Sequence, residues 1–328
     1  MNRPARACQS VVLLKNCRNR PNKKLHNKTA FCMPALRSGL MAAMGAGFFW
    51  ANASWATPVQ TLKISTWNMD WLLDSQTQHA PFIPTDIPHR ATDDLAALAT
   101  YATRLHSDLI GLQEVGDTAT LAHLFPLQDY QLFLSDDNIP QHTAIAVRQG
   151  LVVQRNPDVT ALALSSTGPH HPLRSGLDMT LRVDDTTLRV LVIHLKTGCW
   201  DNPPSEKHHA CPILVQQFHA LQNWLADRAK TGEAFAIIGD FNRRMTRTDP
   251  LFLSLNQITP LDLVTAGHAS PCLNGSYFID HILLGGAAEK WKDPGSLRIM
   301  TIPQNGAQTL SDHCPVSITL RLPQKHTP

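Results

Sequence analysis

Acidic residues are missing from the first 56 positions of this 328-residue chain, where nine lysines and arginines stand without a single aspartate or glutamate. Long apolar stretches are missing too. The run from Leu40 to Trp50 falls well short of the roughly 20 residues that a helix needs to cross a bilayer. There is no internal repeat, no sustained heptad pattern and no low-complexity tract, which excludes a solenoid, a coiled coil and a disordered main body. With 43% hydrophobic content over this length, one large core is the expectation, in a single domain over residues 57–328.

The N-terminus reads as an export signal. Arg37 precedes the apolar run, whose length suits the hydrophobic segment of a secretory leader, and Ser54-Trp55-Ala56 supplies small residues at the cleavage positions. The predicted cut falls before Thr57, making residues 1–56 a leader. An uncleaved amphipathic or buried N-terminal helix is the competing reading. The basic stretch ahead of the run is long for a leader, and Met33 is an alternative start. Taking those nine basic residues from the 29 of the whole chain leaves twenty against 26 acids, so the formal charge of +3 becomes −6. A domain of that sign exerts no global pull on nucleic acid, and any polyanion must be held locally and with the help of a metal.

Cysteine usage agrees with export. Cys8, Cys17 and Cys32 lie in the leader, which leaves an even number, Cys199, Cys211, Cys272 and Cys314, for an oxidising compartment. Cys199 and Cys211 flank a loop rich in proline, histidine and charge between a predicted strand and helix, so they are the expected pair. Cys272 with Cys314 follows by elimination. A zinc site with His208 and His209 competes, but the spacing matches no common zinc pattern. The mature chain is expected to be periplasmic or secreted, without a membrane span, and monomeric.

Hydrophobic periodicity places strands at Leu62–Thr66, Asp108–Gln113, Thr143–Arg148, Leu177–Val183, Leu188–Leu195, Phe235–Gly239, Tyr277–Leu284 and Pro315–Leu320. Helices are predicted over 89–106, over Thr118–Leu124 and from Pro212 to about Lys230, where Gly232 stops the last of them. Asp184-Asp185 marks a hairpin. Strands outnumber helices and are often joined by turns, so antiparallel or mixed sheets are expected.

Short polar clusters end the apolar runs: Thr66-Trp67-Asn68-Met69-Asp70, Leu112-Gln113-Glu114, His194, Gly239-Asp240-Phe241-Asn242, Asp280-His281 and Ser311-Asp312-His313. Taken singly each has a bland reading. Asn68 is a competent turn residue, Asp70 and Glu114 ordinary surface acids, and His194 a satisfied core histidine. Taken in order, the six resemble the endonuclease/exonuclease/phosphatase superfamily, the deoxyribonuclease I-like fold, from about Leu62 to about Leu320. The resemblance implies an α/β protein of the α+β kind, a four-layer sandwich of two packed sheets flanked by helices, with the site at one end of the sheets.

It also implies roles. Glu114 matches the family's Gln-Glu metal ligand and is a hard oxygen donor suited to Mg²⁺ or Mn²⁺. Trp67-Asn68-Met69-Asp70 is similar to the family's Trp-Asn-x-Asp form, which makes Asn68 a phosphate or metal contact and Asp70 a second metal ligand. Asp240 and Asn242, two apart at a strand end, face the same way. Asp240 is expected to orient or deprotonate the attacking water, and Asn242 to position it and bind phosphate. His313 is expected to contact the phosphate, oriented by Asp280, which raises its pKa, while Asp312 sits by the metal or the water. His194 takes the place of the family's other active-site histidine, and Asp178 on a neighbouring predicted strand is its expected orienting acid. Arg174, Arg243 and Arg244 are within reach of substrate phosphates in principle, but surface solvation is their expected role. His170, His171, His208, His209 and His281 are given no chemistry.

The expected activity is therefore metal-dependent hydrolysis of phosphodiester bonds by in-line attack of an Asp-activated water, with no covalent enzyme intermediate. Export favours a nuclease. A sphingomyelinase-like phosphodiesterase acting on phospholipid headgroups, or a phosphatase, is the alternative, because these classes share the motifs. A non-catalytic binding module on the same fold would be expected to have lost one of them, and every principal motif is present.

Overall fold

Parallel neighbours in a sheet need a crossover, and the two longer helices among the described residues supply one to each of two sheets. A computed structural model describes residues 60–74, 83, 87, 89–164, 173–208, 210–302 and 310–323. In chain order these form β1 (Thr61–Leu72), α1 (Thr92–Leu105), β2 (Leu109–Val115), α2 (Thr118–Leu124), β3 (Tyr130–Leu134), β4 (His142–Arg148), β5 (Val152–Arg155), β6 (Leu177–Val183), β7 (Thr186–His194), α3 (Cys211–Thr231), β8 (Phe235–Asp240), α4 (Pro250–Asn256), β9 (Leu261–Leu263), β10 (Asp280–Gly285), β11 (Arg298–Ile299) and β12 (Val316–Arg321). One sheet has the order β11-β12-β1-β2-β4-β3 and the other β5-β6-β7-β8-β10-β9. Only β1 with β2 and β7 with β8 run parallel, joined through α1 and α3; the remaining strand pairs are antiparallel.

Period-two alternation sends one set of side chains from each strand between the sheets and the other set outward. Ile64, Leu109, Ile145 and Ile318 of the first sheet meet Val190, Val192, Ala236, Ile238 and Ile282 of the second in the inner core. Gly111 sits where the sheets approach closely: a Cβ there would stand 2.7 Å from Ile238 Cδ1 and 2.8 Å from Val192 Cγ2, so the sheets pack this tightly there only over a glycine. Outside, Leu95, Leu98 and Leu105 of α1 and Leu121 of α2 cover Ile110 and Leu112. On the opposite side Leu214, Phe218 and Leu221 of α3 and Phe252 of α4 cover Leu191, Ile193 and Ile237. The result is the four-layer sandwich, with both sheets mixed.

Helix ends follow local chemistry. Asp117 caps α2 through Thr120 N at 2.7 Å, Asp249 caps α4 through Leu251 N and Phe252 N, both at 3.1 Å, and Gly232 ends α3 at φ 65°. Strands β3, β5, β9 and β11 and helix α4 are additions to the predicted set. They are short or half-exposed, so they carry weak alternation. The strand predicted from Tyr277 begins only at Asp280, since Tyr277 makes an isolated bridge to Ala269. Cys199–Cys211 and Cys272–Cys314 are both disulfide-bonded, which excludes zinc ligation by Cys199 and Cys211. Among the described residues no helix is long and apolar enough to cross a membrane. The leader with its cleavage position, and His170, His171 and His209, lie outside the described residues.

Candidate active site

Three neighbouring strands of the second sheet end their inward-facing rows in polar residues at the same level. His194 pairs in register with Asp240, and Asp240 with Asp280. Each continues the stripe that holds Val190 and Val192, Ala236 and Ile238, or Ile282 and Leu284 in the core. Gly239, at φ 146°, permits this: a Cβ there would lie 2.0 Å from the carbonyl oxygen of Ile193, so no side chain fits beside Asp240.

The first sheet contributes through paired irregularities. Asn68 lies opposite Gln113 and Leu72 opposite Val115, so three residues of β1 face the single Glu114 of β2. Asp70, Trp71 and Glu114 all take positive φ there. Simple alternation would send Glu114 outward with Ile110 and Leu112. The bulge re-aims it, and its carboxylate takes hydrogen bonds from Asn68 Nδ2 at 3.1 Å, Trp71 N at 3.2 Å and Gln141 Nε2 at 2.8 Å.

The two sheets meet at Asp240. Its Oδ1 accepts Asn242 N at 2.8 Å, and its Oδ2 accepts Asn68 Nδ2 at 3.1 Å and Asn242 Nδ2 at 3.2 Å. Asn242, held at φ 50°, also donates to Leu195 O at 3.0 Å, fixing the exit of β7. His194 Nε2 stands 3.6 Å from Asp240 Oδ2 and 3.7 Å from Glu114 Oε1, and His313 Nε2 stands 3.9 Å from Asp240 Oδ2. Those separations exceed direct hydrogen bonds, so the polar atoms ring a small space. His313 Nδ1 meets Asp280 Oδ2 at 2.7 Å, and Ser311 Oγ accepts His313 N at 3.0 Å while donating to Asn68 O at 2.8 Å.

Charge divides the two imidazoles. Burial opposes protonation of His313, but the Asp280 carboxylate and its hydrogen bond, then Asp240 and Asp312, outweigh it and raise the pKa well above that of an ordinary histidine. His194 is driven the other way, by burial first and then by Arg174 and His313, so it is neutral. Burial pushes the Asp240 carboxyl up to about 7, against the pull of His313. Asp70 is also raised, by burial and then by Asp312 across the mouth, while Arg90 sits 3.5 Å from it.

The structure thus brings together Asn68, Glu114, His194, Asp240, Asn242, Asp280 and His313, with Asp70 and the exposed Asp312 at the rim. Asp178 is not among them. It pairs in register with Leu191, and its carboxylate is taken by Arg189 at 2.5 and 3.0 Å and by Trp224 Nε1 at 2.8 Å. It fastens α3 to the second sheet, and it is not the orienting acid of His194, whose Nδ1 is buried without a hydrogen-bond partner among the described residues. Removing that carboxylate strands a largely buried guanidinium. Asp178→Ala is expected to lose about 3 kcal/mol of unfolding free energy in urea titration while kcat of the folded enzyme stays unchanged.

Two arginines also depart from their expected solvation. Arg243 is buried against Asp249 at 2.6 Å and the carbonyls of Cys199 and Asn202, a structural tie beside the first disulfide. Arg174 is 6% exposed and donates to Gln141 Oε1 at 2.8 Å, one step from Glu114. Arg244 alone lies at the surface, bonded to Asp201 and over the ring of Trp200. Gln141 was not legible from the sequence, because a glutamine in a loop carries no motif. His281 is buried between Thr265 Oγ1 and Arg243 O, and burial lowers its pKa to about 4.

A divalent cation fits this donor set. Glu114, Asp240, Asp280, Asp70 and Asp312 are hard oxygen donors, and Asp280 Oδ1 is buried without a hydrogen-bond partner among the described residues. Asp240, Asp280 and His313 form the tightest group of ligand-type atoms, all within 4.8 Å of one another. A protonated His313 is no metal ligand, however, so the Glu114 side of the space is the better place for an ion.

Acids that can hold a divalent ion, a carboxylate gripped by Asn68 and Asn242 and a charged imidazole 3.9 Å from it define a hydrolase of phosphate esters. The sequence agrees: residues 65–313 match the Endonuclease/Exonuclease/phosphatase family, and the chain belongs to it. Members of this family are typically divalent-metal-dependent. Solved structures share the fold at low identity. Truncated Caenorhabditis elegans TDP2 aligns with a TM-score of 0.56 and 17% identity over 80% of this chain and 98% of that one. The human Nocturnin catalytic domain with bound sulfate gives 0.53 and 14% over 79% and 93%. The 3' phosphatase NExo from Neisseria, bound to a product DNA hairpin, gives 0.50 and 16% over 78% and 98%. No curated protein matches the chain in sequence.

Proposed function

We propose that this chain is an exported, Mg²⁺- or Mn²⁺-dependent phosphodiesterase that cleaves nucleic acid. The observation that carries the reaction is the grip on Asp240, whose two oxygens accept three hydrogen bonds beside His313. The carboxylate is fixed by Asn68 and Asn242 and has a pKa near neutrality, which suits it to take a proton from the attacking water. His313, kept charged by Asp280, donates from Nε2 to a phosphoryl oxygen, and Asn242 and neutral His194 hold the water and the phosphate between them. Glu114, with Asn68, Asp70 and Asp312 around it, would hold the ion, which supplies charge neutralisation at the phosphoryl and leaving oxygens when bound.

The substrate reading rests on what surrounds the centre. Trp200, 44% exposed, lies on the loop closed by Cys199–Cys211, and Arg244 covers its ring two residues beyond Asn242. Tyr277, 49% exposed, lies three residues ahead of Asp280. Exposed aromatic rings on the segments that lead into phosphodiester-site residues suit nucleobases, each ring stacking one base. Arg174 and Lys196 supply the local positive charge that a net-acidic domain needs for a polyanion. The two disulfides and the basic-apolar leader support export.

The test is a panel of plasmid DNA, single-stranded DNA, RNA, sphingomyelin and bis-p-nitrophenyl phosphate, each with Mg²⁺, Mn²⁺ or EDTA. Nucleic acid should be cut only with metal, and Glu114→Gln should be inactive at low metal. Turnover of sphingomyelin with none of DNA or RNA would overturn the substrate reading.

A further inference from the structure

The loop between β3 and β4 belongs to the first sheet, and the segment entering β6 belongs to the second. They are stitched together at the mouth of the site. Asp137 accepts Ser175 N at 2.9 Å and Ser175 Oγ at 2.7 Å, and Thr143 Oγ1 donates to Ser175 O at 3.0 Å. Between these ties Arg174 Nη2 donates to Gln141 Oε1 at 2.8 Å, and Gln141 Nε2 donates to Glu114 Oε2 at 2.8 Å.

The polarity of this chain follows from its first member. A guanidinium only donates, so the oxygen of the Gln141 amide must face Arg174, which leaves its NH₂ for the carboxylate. Without Arg174 the amide could turn over and present its oxygen to Glu114, an acceptor against an acceptor. Trp71 N, delivered by the β1 bulge, reaches the same Oε2 at 3.2 Å. Oε2 is therefore engaged twice from behind. Oε1 faces forward, 3.1 Å from Asn68 Nδ2 and 3.7 Å from His194 Nε2.

We infer that Gln141, held in one amide orientation by Arg174, is a positioning residue that fixes the Glu114 carboxylate for divalent-cation binding. Neither side chain needs to touch the ion. The inference rests on the reading of Glu114 as a metal ligand, and it assigns a binding consequence to two residues that no motif marks. Partners behind a ligating carboxylate set its orientation, and their loss typically costs about 10–100-fold in metal affinity.

The experiment is calorimetric titration of the metal-stripped mature chain with Mn²⁺, without substrate, for the wild type and for Gln141→Ala, Arg174→Met and Glu114→Gln. Unfolding midpoints of the metal-free proteins are measured in parallel. Gln141 is only partly buried, so its alanine variant should fold with a midpoint near that of the wild type. Its Mn²⁺ dissociation constant should rise about 10–100-fold. Arg174→Met, where it folds, should weaken Mn²⁺ binding in the same direction. Wild-type Mn²⁺ affinity in Gln141→Ala, with affinity lost in Glu114→Gln, would overturn the relay while leaving Glu114 as a ligand. Wild-type affinity in Glu114→Gln would overturn the metal reading itself, and the relay with it.

Discussion

Asp240→Asn is expected to lower kcat by about 10²–10⁴ and to leave Mn²⁺ affinity near that of the wild type, because the general-base role proposed for it acts on the transition state rather than on the resting site. Local bonding strengthens the expectation. Asp240 accepts three hydrogen bonds, from Asn242 N, Asn242 Nδ2 and Asn68 Nδ2. An asparagine there has one acceptor oxygen. Whichever way its amide turns, an NH₂ group meets at least one donor, so lost basicity and a frustrated cradle act together. Glu114→Gln should behave differently, since weaker coordination is offset by mass action and activity should return in part as metal is raised. Steady-state kinetics across a metal titration separates the two. Near-wild-type kcat in Asp240→Asn at any metal concentration would remove Asp240 from the centre.

What the sequence made legible was decided by periodicity. The rows Val190, Val192, His194 and Ala236, Ile238, Asp240 are unbroken period-two patterns that change from apolar to polar where the core ends, so both the strand and the direction of its last residue can be read. Glu114 breaks that rule. Counting by twos from Leu112 places it one residue out of phase with the inner face, and only the motif pointed to it; the physical reason is the bulge at positive φ, which no composition signals. Asp178 failed for the opposite reason. It lies on the strand next to His194's, but adjacency in a sheet does not set register. Its place opposite Leu191 puts it in reach of Arg189 and Trp224. Arg174 and Gln141 were misjudged or unseen because their roles come from loops that meet only when the two sheets pack.

The charged state of His313 carries the second large expectation. His313→Ala should lose about 10²–10³ in kcat, the usual cost of removing one preorganised donor. Asp280→Asn should lose less and in a pH-dependent way. Asp280 meets Nδ1 at 2.7 Å and contributes most to raising the imidazole's pKa against burial. A raised pKa keeps the donor protonated at neutral and mildly alkaline pH. Replacing the carboxylate by an amide removes that support, so the pKa falls and the proton is lost at lower pH. The alkaline limb of the kcat profile should therefore move down in pH, and the deficit relative to the wild type should grow from about pH 6 to about pH 9. His313→Ala should instead be slow across the whole range, with no limb left to move. Profiles of the three enzymes at saturating metal would decide it. A uniform deficit in Asp280→Asn, with the limb in place, would mean that Asp280 orients the ring without setting its charge.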